Sequence, residues 1–301
     1  KMKSEKNMLT LSAIGALFFA VLGVAWGVII DSSMIIFDGL YSLISLFLSV
    51  LAICITRYIN KNDFEKFPFG KWILEPITVV FNSIVLTIMC VINFVNSAKE
   101  ILAGGKIVDT GLALEYSIIS ILGCLIIYKI LAKSNKEVAS GIVGAEVNQW
   151  LMDTLVSVAV LVGFLICTIL NKTPLVYLSK YVDPFMVLIT SSIFIKVPVT
   201  TLIKNFKEIL NRNADKDIND EIYTIVKDVE KEYNFEDSIT RVSKIGKELR
   251  IEIDFVFNEE SKLNKLEEMD NVREYVYSNM SDIKLDKWLN INFTGDKKWA
   301  V

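Results

Sequence analysis

No histidine occurs among the 301 residues. Its absence removes imidazole as a zinc ligand, as a general base and as the centre of a Ser-His-Asp triad. An HExxH motif is excluded with it, so an intramembrane metalloenzyme is set aside. Cysteine is scarce as well. Cys54, Cys90, Cys124 and Cys167 stand far apart in apolar runs, so there is no CxxC zinc or redox motif. They read as packing or lipid-facing residues. Low-complexity tracts and internal repeats are also missing. The net charge is −3, from 32 basic and 35 acidic residues, which offers nucleic acid no bulk attraction.

What the chain has in excess is apolar surface. Hydrophobic residues make up 52% of it, and the mean hydropathy is +0.45, high for a soluble protein. Charge is sparse up to about Lys204 and dense afterwards. That asymmetry predicts a membrane domain over 1–208 and a soluble domain over 209–301. Six spans are expected, at Met8–Ile30, Ser33–Thr56, Glu75–Ala98, Gly111–Ala132, Gly141–Leu170 and Asp183–Ile203. The first is long enough to be a retained span rather than a signal peptide. Pro198 is expected to kink the sixth.

Basic residues of the connections set the orientation. Lys1, Lys3, Lys6, Arg57, Lys61, Lys66, Lys71, Lys129, Lys133, Lys136, Lys196, Lys204 and Lys207 fall on one side, against Lys99, Lys106, Lys172 and Lys180 on the other. This places both termini in the cytoplasm. Beyond Ile209, an amphipathic helix over Asp217–Tyr233 precedes strands at Ser238–Ser243 and Glu248–Phe257. A second helix, Ser261–Met280 with Ser261 as its cap, leads to a strand at Trp288–Phe293. The fold class is therefore an all-α polytopic membrane domain of six transmembrane helices followed by a small α+β (αββαβ) cytosolic domain.

Two spans carry carboxylates that are costly in lipid: Asp38 in the second and Asp153 in the fifth. Each has a polar residue four positions away on its own helix face, Ser42 and Gln149. If the two helices pack together, two carboxylates, an amide oxygen and a hydroxyl converge. Such an all-oxygen set suits hard divalent ions such as Mg²⁺ or Mn²⁺ better than zinc. Tyr41 and Asn148 replace them if the register is rotated, and Glu146 either lines an entry path or is simply solvated. Depth counts against the pairing. Asp38 lies roughly 9 Å from the end of its span and Asp153 roughly 24 Å from the corresponding end of its own. Glu75 and Glu115 read as acids near helix starts, Asp183-Pro184 as an N-cap followed by first-turn proline, and Trp26 and Trp72 as interfacial anchors.

Six spans before an αββαβ domain resemble the cation diffusion facilitator family. Phe37-Asp38-Gly-Leu-Tyr-Ser42 resembles its helix-two motif, and Ala145-Glu-Val-Asn-Gln149-Trp-Leu-Met-Asp153 its helix-five motif. Phe69-Gly70-Lys71 to Glu75 resembles its entry to helix three, and Asp183-Pro184 its helix six. The resemblance implies a homodimeric exporter that exchanges a divalent metal ion for protons in the bacterial plasma (inner) membrane. The ion is then cargo and no resident cofactor is expected. The implied metal ligands are Asp38, Ser42, Gln149 and Asp153. Ser42 stands where Asp is usual, Gln149 where His or Asp is usual, and Lys71 where a metal-binding His often lies. A rival reading is a non-transporting membrane scaffold or regulatory protein with a degraded metal site.

Overall fold

The computed structural model describes residues 2–300 apart from 62, 64, 139, 140 and 264. Side chains at 2–6, 9, 49, 52, 53, 56, 135–138, 141–145 and 148 are also outside the description. The basic residues Lys1, Lys3, Lys6 and Lys136 therefore lie outside the described side chains, as does Asn148. The chain forms two compact units, Lys1–Ile53 with Asn82–Thr200, and Cys54–Phe81 with Thr201–Val301.

Long apolar helices dominate the first part of the chain. They are α1 (Met2–Ile30), α2 (Ser33–Ile59), α3 (Leu74–Leu102), α4 (Thr110–Val138), α5 (Gly141–Leu170), α6 (Ser179–Phe194) and α7 (Lys196–Ile209). Among the described residues, five apolar stretches are long enough to cross a membrane, the last running through α6 and α7, and Ser33–Leu48 of α2 is a shorter apolar helix. Large apolar side chains such as Phe18, Phe47, Leu122, Ile166 and Ile193 face outward. In water that surface would be ruinous, and in lipid it costs nothing.

The helices of the first unit pack through small residues. A Cβ on Gly39 of α2 would lie 2.5 Å from the Val24 backbone nitrogen and 2.8 Å from the Gly23 carbonyl carbon of α1. Backbone approach of this kind is available only to glycine and substitutes for the hydrophobic drive that lipid removes. The α4–α5 contact is the most extensive between helices, and α1 packs on both. A buried cluster around Met34, Ile35, Phe37, Tyr116, Val160 and Phe164 fills the bundle where α2 begins.

Several helix boundaries differ from those expected. Asp183 does not open a helix, because α6 begins at Ser179. Its buried carboxylate instead accepts from Ser32 Oγ at 2.5 Å, Ser33 N at 2.8 Å and Met34 N at 3.3 Å. It thus caps α2 from another helix, satisfying amides that a helix start leaves orphaned. Helix α4 is capped by Asp109, whose Oδ1 accepts from Gly111 N and Leu112 N at 3.0 and 3.2 Å, and Glu115 sits exposed a turn further on. The last span breaks at Ile195, three residues before Pro198. A proline ring collides with the carbonyl four residues back, here Phe194, so the break falls there. Trp26 Nε1 donates to the Leu112 carbonyl at 3.0 Å, joining the end of α1 to the start of α4.

In the second unit, α8 (Lys216–Tyr233), β1 (Asp237–Ile245), β2 (Glu248–Val256), α9 (Leu266–Asn279) and β3 (Asp286–Thr294) follow the expected αββαβ order. The sheet order is β1-β2-β3, with β1 and β2 antiparallel and β2 and β3 parallel. Leu249, Ile251, Ile253 and Phe255 alternate onto one face with Ile291, against Ile222, Val226, Val272 and Val276 of the helices. Gly246 turns the β1–β2 hairpin at φ 59°, a conformation that other residues adopt at a cost. Ser261 caps no helix. Its hydroxyl closes the turn at Asn258, accepting from Asn258 N at 2.9 Å, and α9 starts five residues later.

Lys71, in the position of the expected loop histidine, is buried. Its ammonium donates to the Lys61 carbonyl at 3.1 Å and lies over the rings of Tyr58 and Phe67, 4.4 and 4.9 Å from their centroids. A cation held by one carbonyl and two aromatic faces staples the α2–α3 loop without a metal.

Candidate metal site

Asp38 lies in the second turn of α2 and is partly buried. Tyr116 and Ser120 of α4 line one gap with it, and Ser120 Oγ is 2.9 Å from Ser157 Oγ of α5. Three hydroxyl-bearing side chains from α4 and α5 therefore gather beside the carboxylate of α2. Ile35, Asp38, Tyr116, Ser120, Ser157 and Val160 line a gap too tight to admit a water molecule.

Asp153 occupies the fifth helix one turn before Ser157. Gln149 Nε2 donates to its Oδ1 at 3.0 Å. The charges of Asp38 and Glu146 both act on Asp153, so the three carboxylates share one electrostatic neighbourhood. Their levels differ, however. Asp38 faces Ser157, about 6 Å along the α5 axis from Asp153. Since α2 and α5 run oppositely, Ser42 is the α2 position level with Asp153. The depth mismatch expected from counting is thus resolved mostly by overrun: α5 extends about 12 Å past the start of α2.

The other expected participants fall into place around this pair. Ser42 is partly buried and has no hydrogen-bond partner among the described residues. The Tyr41 ring packs 5.0 Å from that of Phe194 and 6.1 Å from that of Phe37, and its side chain also lies within electrostatic reach of Asp153. Glu146 is not simply solvated: it accepts a hydrogen bond from the Ser12 hydroxyl of α1. Trp150 Nε1 donates to that same hydroxyl at 2.8 Å, tying α1 to the first turns of α5.

Tyr116, Ser120, Ser157 and Cys124 were not among the expected site residues. Cys124 is buried one turn beyond Ser120 on the same face of α4. A signal was available, since Tyr116, Ser120 and Cys124 repeat every four residues along one face of α4. Among the described residues no three Cys, Asp or Glu side chains are grouped as a ready metal cage. The donor set is two carboxylates with neutral oxygens around them, which is hard-cation chemistry.

A second polar knot closes the bundle where α2 begins. Lys106 Nζ lies 2.8 Å from Asp31, 3.3 Å from Ser33 Oγ and 3.8 Å from Glu100, and Ser33 Oγ donates to Glu100 at 2.9 Å. The Asp183 cap and the apolar cluster lie at this same end of α2.

An apolar helix bundle that carries carboxylates in its spans, followed by an αββαβ domain, defines a polytopic membrane protein. Comparison with known proteins makes that class specific. Residues 9–210 match the family model described as cation efflux transmembrane domain. The chain belongs to the cation efflux family, as its motifs suggested, and is an integral membrane protein of metal cation export. It is 22% identical over 212 residues to the manganese efflux system protein MneP of Bacillus subtilis (strain 168), covering 70% of this chain and 68% of that one.

Proposed function

We propose that this protein exports a divalent cation from the cytoplasm in exchange for protons, binding the ion between α2 and α5. The observation that carries the reading is that Asp38 of α2 shares a gap with Ser157 of α5, one helical turn from Asp153. Two carboxylates in a low-dielectric span must be neutralised by a cation or by protons, and swapping one for the other couples the two fluxes. Asp38 and Asp153 supply the charge, and Gln149 and Ser42 complete the oxygen shell. Glu146 lies on the entry side. Both termini are cytoplasmic, the membrane is the bacterial plasma membrane, and the soluble unit joins two copies into a homodimer. Mn²⁺ is the first ion to test, because the relative with the matching sequence is named for manganese efflux and the donors are hard.

The test is ion-by-ion flux in proteoliposomes with Mg²⁺, Mn²⁺, Fe²⁺, Co²⁺, Zn²⁺ and Cd²⁺, with internal pH followed in parallel. Wild type is expected to carry Mn²⁺ with counterflow of protons, and Asp153→Asn to lose at least about tenfold of the rate. An Asp153→Asn variant as fast as wild type removes Asp153 from the site. No response to any ion leaves the membrane scaffold as the surviving reading.

A further inference from the structure

Tyr116 of α4 lines the same gap as Asp38, and room is made for its hydroxyl. A Cβ on Gly23 of α1 would stand 2.8 Å from that oxygen, so glycine at 23 leaves space for the hydroxyl. Ser120, one turn along α4, lines the same gap, and Ser157 of α5 braces it at 2.9 Å. The hydroxyl, its support and its space thus come from α4, α5 and α1, while the carboxylate beside it belongs to α2. In this arrangement Asp38 faces a gap with no room for water. Its level on α5 is Ser157, a full turn from Asp153. An ion shared by both carboxylates needs oxygens within about 2.0–2.6 Å of it. Asp38 must therefore leave Tyr116 and turn toward the level of Ser42 and Asp153 before both can bind one ion.

We propose that Tyr116 is a positioning residue of the cation site, a competing hydrogen-bond donor that holds Asp38 away from Asp153 when no ion is bound and takes it back as the ion leaves. The inference rests on the placement of the ion between α2 and α5 given above. Binding must displace the phenol, so the bond weakens capture. Its re-formation draws one ligand off the ion, so the same bond speeds release. Removing the hydroxyl separates these effects: the site fills at lower concentration and empties more slowly.

The experiment measures initial flux against Mn²⁺ concentration, or against whichever ion of the series wild type carries. It uses the full chain in proteoliposomes as wild type, Tyr116→Phe and Ser120→Ala. Tyr116→Phe is expected to lower KM by about tenfold, the worth of one hydrogen bond to a charged group, and to lower the maximal rate. Ser120→Ala, which only unbraces the phenol, is expected to lower KM by a smaller factor. A merely structural role for Tyr116, or direct ligation of the ion by its oxygen, leaves KM unchanged or raises it, and either result overturns the proposal. If Tyr116→Phe fails to insert, the KM of Ser120→Ala decides alone. Absence of flux in wild type removes the transport reading and this inference with it. Normal wild-type flux with an unlowered KM in the folded variants removes this inference alone.

Discussion

Asp183 shows how much one buried side chain can carry. It is 2% exposed, and its two oxygens satisfy one hydroxyl and two backbone amides at the start of α2. Asp183→Ala leaves those amides without a partner in the bundle and is expected to cost about 2–3 kcal/mol, combining a lost cap with unsatisfied buried donors. Asp183→Asn keeps one acceptor oxygen and is expected to lose less. The midpoint of thermal aggregation in detergent ranks the three proteins. Equal midpoints for Ala and wild type would mean that water or Ser32 caps the helix unaided. Lys71 makes a related point in the other unit. Where relatives of this family are expected to place a metal-binding histidine, a lysine brings its own positive charge to two rings and a carbonyl. The loop is closed by a cation that is part of the chain.

At the scale of elements, the α1–α2 pair is set by glycine and admits no side chain at the crossing. In Gly39→Ala the new methyl meets backbone atoms of Val24 and Gly23 at 2.5 and 2.8 Å, and backbone cannot swing aside as a side chain can. The helices must separate, at an expected cost of about 1–3 kcal/mol. Because Asp38 adjoins Gly39, transport is expected to fall with stability, and flux per folded molecule, compared with the thermal midpoint, measures both. A stable and fully active Gly39→Ala would show that this crossing is looser than described. Most element boundaries were legible in the sequence because hydrophobic length and period decide them: α5 runs from Gly141 to Leu170 as expected, and β3 alternates Leu289, Ile291 and Phe293 onto the core. The misjudged ends at Asp183 and Ser261 share a cause. A carboxylate or hydroxyl near a helix start looks like its cap, but which amide it serves depends on a neighbour that only packing supplies.

For the whole molecule, the same contrast governs the site. Asp38 and Asp153 were legible because charge in lipid is conspicuous against an apolar run. Tyr116, Ser120, Ser157 and Cys124 were not, because single polar residues are common in spans and only the α4–α5 contact turns them inward. In the soluble unit the chain end is strapped across β1. Lys297 Nζ lies 2.7 Å from Asp237, and Arg241 Nη2 donates to the Ala300 carbonyl at 3.0 Å. The hydrogen bond from Lys297, helped by the Ser238 amide, holds the Asp237 carboxyl below its ordinary value. A carboxyl with a depressed folded pKa contributes stability above its unfolded value, near about 4, and loses it as pH falls through the folded value. Amide exchange of residues 296–300 is therefore expected to quicken below about pH 4 in wild type. In Lys297→Ala it is expected to be fast already at neutral pH, with a flatter acid response. Identical pH profiles would show that Arg241 holds the strap alone.

The cap on α2 has one more consequence. The first turn of the helix bearing Asp38 is completed by a residue some 150 positions later, on α6. Without α6 beside it, α2 keeps only the local cap that Ser32 Oγ gives the Ile35 amide at 3.2 Å. The last span therefore completes the start of the helix that carries Asp38.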